Sequence, residues 1–273
     1  MSSDLLLARL PTELIVSIFG ALPTFSDVAW FAATCRRHRQ VWIDSAYTIY
    51  QQVAPRTIPC RKHARVLLAD QGGPPASDTH LSFQEVLRLI RNAAILEQSV
   101  ADFEKNHISR VQEYSPYKAK IRLPHLTRTE RVRYIRGLYQ LWSLALLGPE
   151  PRQQRIRSLK LKDLMVVRDL ALSDGTYIPD STVLAMEGGE PASAFELVYV
   201  DVSPHAEQLM GDLYEESMGS WCWPYSEGFM GRITIWDSYY DKFKDMLLEN
   251  TPGRRCPAPE TVWDDTSDEE GTW

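Results

Sequence analysis

The chain has 273 residues, 44% of them hydrophobic, and a formal net charge of −6, which predicts one large or two smaller globular domains. No run reaches the roughly twenty apolar residues needed to cross a bilayer, and the first residues lack the basic and apolar regions of a secretory signal. We therefore expect a cytoplasmic or nuclear protein without membrane contact. The cysteines are few and widely separated, unlike those of a disulfide framework, and are expected to be reduced; they are Cys35, Cys60, Cys222 and Cys256.

A first helix is predicted to begin near Pro11 and to be ended by Pro23. Proline suits a first helical turn because its missing N–H would have no partner there, and the carboxylate of Glu13 complements the positive end of the helix dipole. Apolar residues then recur at helical spacing and give the helix a face wide enough to touch two surfaces. These residues are Leu14, Ile15, Ile18, Phe19 and Leu22.

Two further short helices are predicted before residue 50. Thr24 and Asp27 form a variant capping box that opens the second helix. The third is expected to follow Cys35 and to carry Val41, Trp42 and Ala46. Three helices within about forty residues bury too little apolar surface for a core of their own. The segment is therefore expected to complete itself against another protein.

The order LPxEL, IFxxLP, D, CR and W within residues 5–50 resembles the F-box. The resemblance implies a three-helix F-box domain at residues 1–54 that binds a Skp-type adaptor and, through it, a cullin-RING ubiquitin ligase. His38 departs from the commoner pattern, in which an aromatic residue is frequent near this position. The residues expected to contact the adaptor, or to support the hinge behind that contact, are Leu10, Pro11, Leu14, Ile18, Phe19, Leu22, Pro23, Cys35, Arg36 and Trp42.

An ordinary helical hairpin is the alternative for this segment, with its leucines packed only on the rest of the same chain. Each buried Leu, Ile or Phe contributes roughly 1.5–3 kcal/mol whichever chain covers it, so the burial energy does not separate the two interpretations. The ordered pattern, more than the number of apolar residues, favours docking on an adaptor.

The remainder of the chain predicts a linker, a helical body and a tail. Prolines at 55 and 59 and the run Gly72–Asp78 predict a linker over 55–80. A mainly α, irregular helical domain over 81–250 should follow, since capping boxes at Ser82 and Thr127 open long amphipathic helices. Within it, residues 156–172 and 233–247 are helical in pattern, and another helix is expected from Ser203. The composition of 195–202 indicates a short strand, although its length is also compatible with the end of a helix. The acidic tail 251–273 is expected to be disordered.

Other chemistry is weakly supported. The Cys35–His38 and Cys60–His63 spacings contain zinc-binding residue types, but spacing alone does not give a closed tetrahedral site. No catalytic or nucleotide-binding motif occurs, so we expect neither an enzyme nor a cofactor. The arginines of 128–136 are expected to form a solvated helix face and not a nucleic-acid site, because the chain is acidic overall.

The expected function is therefore that of a non-catalytic substrate-recognition subunit. By resemblance, the F-box would hold the adaptor while the helical body holds an unidentified target protein, so that the cullin-bound partners modify the target's lysines. No repeat array is present, so the target would meet a non-repeating helical surface. The alternative is a scaffold that binds the adaptor outside any ligase. An aromatic stretch is the candidate recognition loop, because exposed aromatic residues are typical binding anchors; its members are Trp221, Trp223, Tyr225 and Phe229. The alternative, that these rings fill the core under a long connection, is favoured because large apolar side chains are mostly buried.

Overall fold

The structure is a computed structural model that describes residues 10–78, 80–108, 125–172 and 191–217. These ranges are mainly helical and contain no strand, which confirms the mainly α fold. Two compact units divide the chain: unit 1 contains the described residues up to 94, and unit 2 those from 95 onward. The α-helices of the described ranges are α1 (Thr12–Ala21), α2 (Phe25–Ala33), α3 (Arg36–Asp44), α4 (Ala46–Thr57), α5 (Arg61–Asp70), α6 (Phe83–Phe103), α7 (Arg128–Leu146), α8 (Pro149–Ser158), α9 (Leu161–Leu172) and α10 (Pro191–Ser217).

Local hydrogen bonds start several of these helices where the sequence predicts a start. At each predicted cap, a hydroxyl accepts a hydrogen bond from the backbone N–H three positions later, which satisfies a group that the first turn leaves unpaired. The donor–acceptor distances are 3.1 Å from Asp27 to Thr24, 3.3 Å from Glu85 to Ser82 and 3.2 Å from Glu130 to Thr127. The predicted third helix is shorter than expected, because α3 ends at Asp44 and Ala46 begins α4.

In unit 1, α1 packs chiefly against α4 and also against α3, while α2 packs against α3. The buried side of α1 contains Ile15 and Phe19, and α4 contributes Ile49 and Val53 to the same core. Gly20 is buried between these helices, and a Cβ added there would overlap the side chain of Gln52. The absence of a side chain at position 20 therefore leaves room for the Gln52 side chain to lie against α1.

The predicted linker over 55–80 is wrong in its first half. The end of α4 and the whole of α5 lie there, because Ala64, Leu67 and Leu68 recur at helical spacing and are buried. Helix α5 ends at a left-handed glycine, Gly72, with φ +82°. The turn that follows is tied back to α5, since the Arg65 guanidinium donates to the backbone carbonyls of Pro75 and Asp78.

Unit 2 is organised around α7, which contacts α8, α9 and α10. The residues of α7 from 132 to 144 are all buried, so the helix has no solvated side along that length. A Cβ added at Gly137 would lie 2.5 Å from Cγ1 of Val166 and 2.9 Å from Cδ1 of Leu170. This glycine therefore sets the close crossing of α7 and α9.

The prediction that the α7 arginines form a solvated face is wrong for two of them. Arg133 and Arg136 are buried, and the Nε of Arg136 lies 2.9 Å from Oδ1 of Asp163 on α9. Arg152 of α8 is likewise buried, and its Nε donates to Asp201 of α10 at 2.6 Å. The sequence shows the helical spacing of these cations but not the carboxylates that reach them from other helices.

The predicted strand at 195–202 and the predicted helix start at Ser203 are also wrong. Both segments lie inside α10, which contains Pro204 in its interior. The buried positions Phe195, Val198 and Val202 repeat every three or four residues, which is a helical period and not the two-residue period of a strand. Their β-branched and aromatic character favours a strand only in isolation.

Residues 156–172 are helical as predicted, but they form parts of two helices that separate at Leu159. Among the described residues, no helix has the length and apolarity that a membrane crossing requires. The predicted helix over 233–247, the aromatic loop and the acidic tail lie outside the described residues.

Candidate docking surface

Three aromatic rings in contact, which we call the ring stack, join the first three helices of unit 1. Phe19 of α1 meets Phe31 of α2 edge to face, with ring centroids 4.8 Å apart. Phe31 in turn stacks on His38 of α3 at 4.4 Å, and the His38 Nδ1 lies 2.7 Å from the Thr34 hydroxyl. The imidazole of His38 therefore occupies an aromatic position in this stack. The rings fix the relative placement of α1, α2 and α3.

Beneath the same helices, the ring of Phe25 stacks against Tyr50 of α4, with centroids 6.1 Å apart. Burial raises the pKa of Tyr50 above its ordinary value, and the positive charges of Arg65 and Arg61 oppose this increase. The phenol is therefore neutral near pH 7 and supports packing.

The outer sides of α1 and α2 are apolar and uncovered. On α1, Leu14 is 50% exposed and Ile18 is partly exposed. On α2, Trp30 is 77% exposed and lies between exposed alanines at 29 and 33. Large apolar side chains exposed on consecutive helices are typical of protein-binding surfaces. We call the exposed apolar residues of the two helices the docking face: Leu14, Ile18, Ala21, Ala29, Trp30 and Ala33.

Exposed positive charge follows the docking face along the chain. Arg36 and Arg39 are both exposed on α3, which begins three residues after Ala33. The two arginines therefore add exposed positive charge to this part of unit 1.

Two arginines hold the ends of α1 in place. Arg37 of α3 donates to the Leu10 carbonyl just before the helix. Arg56 of α4 donates to the Gly20 carbonyl and, at 2.6 Å, to the Leu22 carbonyl, which lie at the end of the helix. The last carbonyls of a helix have no intrahelical donor, so these contacts replace missing hydrogen bonds. Leu14 and Ile18 are thereby presented on a helix fixed at both ends.

Replacing Arg56 with methionine should weaken unit 1 by about 1–2 kcal/mol, because an exposed side chain loses three charge-assisted hydrogen bonds, to the carbonyls of Gln52, Gly20 and Leu22. Hydrogen exchange should accelerate at the amides of α1 and less at those of α5. The matched control is Arg91→Met, which removes an exposed arginine from α6. Equal exchange in the two variants would show that Arg56 does not support α1.

The residues predicted to contact the adaptor fall into two groups, those that pack inside unit 1 and those that lie at its surface. Phe19 is wholly buried and Trp42 is partly buried with its ring edge-on to Phe83 at 5.1 Å, so both belong to the support behind the surface. Phe19 cannot reach a partner without leaving the core. The residues that are exposed or partly exposed are Leu10, Pro11, Leu14, Ile18, Leu22, Pro23, Cys35 and Arg36.

Sequence reasoning missed Trp30 and Arg56. A signal for Trp30 was present, because it lies on the opposite side of α2 from the buried residues Phe25, Val28 and Ala32. Arg56 gave no signal, since its partners are backbone carbonyls more than thirty positions earlier. The four predicted recognition aromatics lie outside the described residues.

The Cys35–His38 pair takes a structural role in unit 1. The Cys35 Sγ accepts a hydrogen bond from the His38 backbone N–H at 3.4 Å and thereby caps α3. Within the described ranges, no group of three or more His, Cys, Asp and Glu side chains is arranged to hold a metal ion.

Comparison with models of known families, with curated proteins and with solved structures finds no match to this chain.

Proposed function

We propose that this protein is the substrate-recognition subunit of a Skp-cullin-F-box type ubiquitin ligase. The observation that carries the proposal is that the ordered LPxEL, IFxxLP, D and CR pattern falls on three consecutive short helices that leave Leu14 and Trp30 uncovered. If these helices were an ordinary hairpin that packs only on its own chain, its large apolar side chains would be expected to be covered, and Trp30 is not. Burial of such side chains by a partner contributes roughly 1.5–3 kcal/mol each.

The adaptor contact is proposed to use the docking face together with the exposed residues at its ends. Phe19 and Trp42 act behind the surface, as ring contacts that hold the helices in register. Arg37 and Arg56 fix the ends of α1, as described above. The residues that flank the docking face in this contact are Leu10, Pro11, Leu22, Pro23, Cys35 and Arg36.

The proposed mechanism is proximity. The chain holds the adaptor through unit 1 and a target protein elsewhere, so that a cullin-bound RING protein and its conjugating enzyme reach the target's lysines at high effective concentration. No bond is made or broken by this chain.

The test is binding of the full chain to a purified Skp-type adaptor by calorimetry. Leu14→Asp combined with Trp30→Asp should weaken binding at least about 100-fold, because two charges would be buried at an apolar interface. Leu146→Asp is the matched control, since Leu146 is exposed in unit 2. Absence of binding by the wild type, or equal binding by the double variant, would exclude the proposal. Co-purification of the adaptor with or without a cullin then separates the ligase role from that of a scaffold.

A further inference from the structure

Helix α10 leaves large apolar side chains uncovered in unit 2. Leu197 is 53% exposed and Val200 is 59% exposed, although the opposite side of the helix is buried against α7, α8 and α9. In a helix, positions separated by three residues lie on the same side. The two side chains therefore form one exposed apolar stripe.

The stripe belongs to a wider exposed face with negative charge at its edge. All its members are exposed, and at 3.6 residues per turn they fall within an arc of about 120°. Pro204 lies in this arc, and because proline has no N–H it cannot donate to the Val200 carbonyl as the regular helix would require. We call this the acidic-apolar face: Glu196, Leu197, Val200, Pro204, Glu207 and Gln208.

The charged Asp and Glu side chains of α10 are not balanced by any Lys or Arg in the same helix. Its sequence contains six Asp and Glu residues and no Lys or Arg. Asp201, at the edge of the face, is already engaged by Arg152 at 2.6 Å and by Gln153 at 2.9 Å. Glu196 and Glu207 make no ion pair with any residue of the described ranges and stay at the surface. The uncovered apolar stripe is therefore bordered by carboxylates.

We propose that the acidic-apolar face of α10 binds a basic amphipathic helix of a partner protein. Apolar side chains of such a helix would cover Leu197 and Val200, and its Lys or Arg residues would meet Glu196 and Glu207. A second copy of the chain would bring these carboxylates against their own counterparts, and an anionic lipid surface would repel them. A basic helix satisfies both the apolar and the charged part of the face.

Binding at this face does not depend on the proposed ligase function. Only the further statement that the bound protein is the target to be ubiquitylated rests on that function. The two proposals also use different units of the chain, so each can fail alone.

The probe is a labelled synthetic helix of about five turns, with leucines along one side and lysines along the other. Its binding to the full chain at low ionic strength is compared with that of a peptide whose lysines are replaced by glutamates. The lysine peptide should bind at least about tenfold more tightly, and added salt should reduce the difference.

Charge reversal gives the sharpest variant because it changes only exposed side chains. Glu196→Lys combined with Glu207→Lys should reverse the preference, so that the glutamate peptide binds about tenfold more tightly than the lysine peptide. Glu150→Lys is the matched control, an exposed acid on α8 whose reversal should leave the preference unchanged. Leu197→Ser combined with Val200→Ser should weaken both peptides, and Leu146→Ser should not. Circular dichroism checks that each variant is folded, and the charge-reversal pair decides the test if the serine pair is unstable.

Several outcomes would overturn the proposal. One is equal binding of the lysine peptide to the wild type and to the charge-reversed variant, and another is no binding to the wild type. Hydroxyl-radical footprinting that finds Leu197 as protected as Val198 in the free protein would assign the face to this chain's own segments. Sedimentation that finds a dimer abolished by Leu197→Ser with Val200→Ser would assign it to a second copy. If the wild type bound the adaptor but not the lysine peptide, this proposal would be refuted and the proposed function would stand.

Discussion

Phe19→Ala is expected to destabilise unit 1 by about 3–5 kcal/mol, whereas Leu14→Ala should change its stability by less than about 0.5 kcal/mol. Phe19 is 0% exposed and its ring contacts Phe31, so truncation leaves a cavity and breaks the stack that joins α1 to α2. Leu14 is half exposed and loses little on truncation. The two residues lie five positions apart within the same motif but act in different ways.

Hydrogen exchange at the amides of α1 and α2 provides the measurement, because it reports on unit 1 even where unit 2 remains folded. Phe19→Leu is the intermediate variant, since it retains part of the apolar volume and should lose less stability. If Leu14→Ala accelerated exchange as strongly as Phe19→Ala, Leu14 would belong to the core. The docking face would then lose its main residue on α1.

Arg136→Met is expected to destabilise unit 2 by about 3–5 kcal/mol, because it leaves the Asp163 carboxylate without its cation in a mostly covered site. Arg136 is 1% exposed, and its Nε lies 2.9 Å from Asp163 Oδ1. Asp163→Leu should also be costly, since it removes a carboxylate that lies 2.9 Å from the buried Arg136 guanidinium. The double variant should lose less than the sum of the two single variants.

A double-mutant cycle of urea unfolding, followed through exchange at the α7 amides, measures this coupling. We expect a coupling free energy of about 1–3 kcal/mol. Arg157→Met serves as the control, because Arg157 is exposed on α8. Additive losses from the two single variants would mean that Arg136 and Asp163 stabilise unit 2 independently.

The features that could be predicted from sequence are those encoded within a few residues. The caps at Thr24, Ser82 and Thr127 each join residues three positions apart. The sequence pattern therefore contains both partners of each hydrogen bond. The stripes of α1 and α7 were also visible, although the sequence could not tell which side of α1 faces its own chain. That distinction depends on α4, whose contact with α1 joins distant parts of the sequence.

The features that could not be predicted depend on partners far along the chain. The segment 195–202 has the composition of a strand but becomes helical because Phe195, Val198 and Val202 are covered on one side in unit 2. The burial of Arg136 likewise depends on Asp163, a carboxylate that arrives from another helix. The spacing of residues along one helix does not show which other helix will cover it or supply a carboxylate to it.

The position of Arg56 affects any deletion mapping of the proposed adaptor binding. A fragment cut after residue 54 would retain every residue of the F-box-like pattern but would lack the guanidinium that satisfies the carbonyls of Gly20 and Leu22. Such a fragment would present a frayed first helix and bind weakly for reasons unrelated to its contact residues. The shortest stretch suited to a fair truncation experiment therefore reaches at least to Thr57, the last residue of α4.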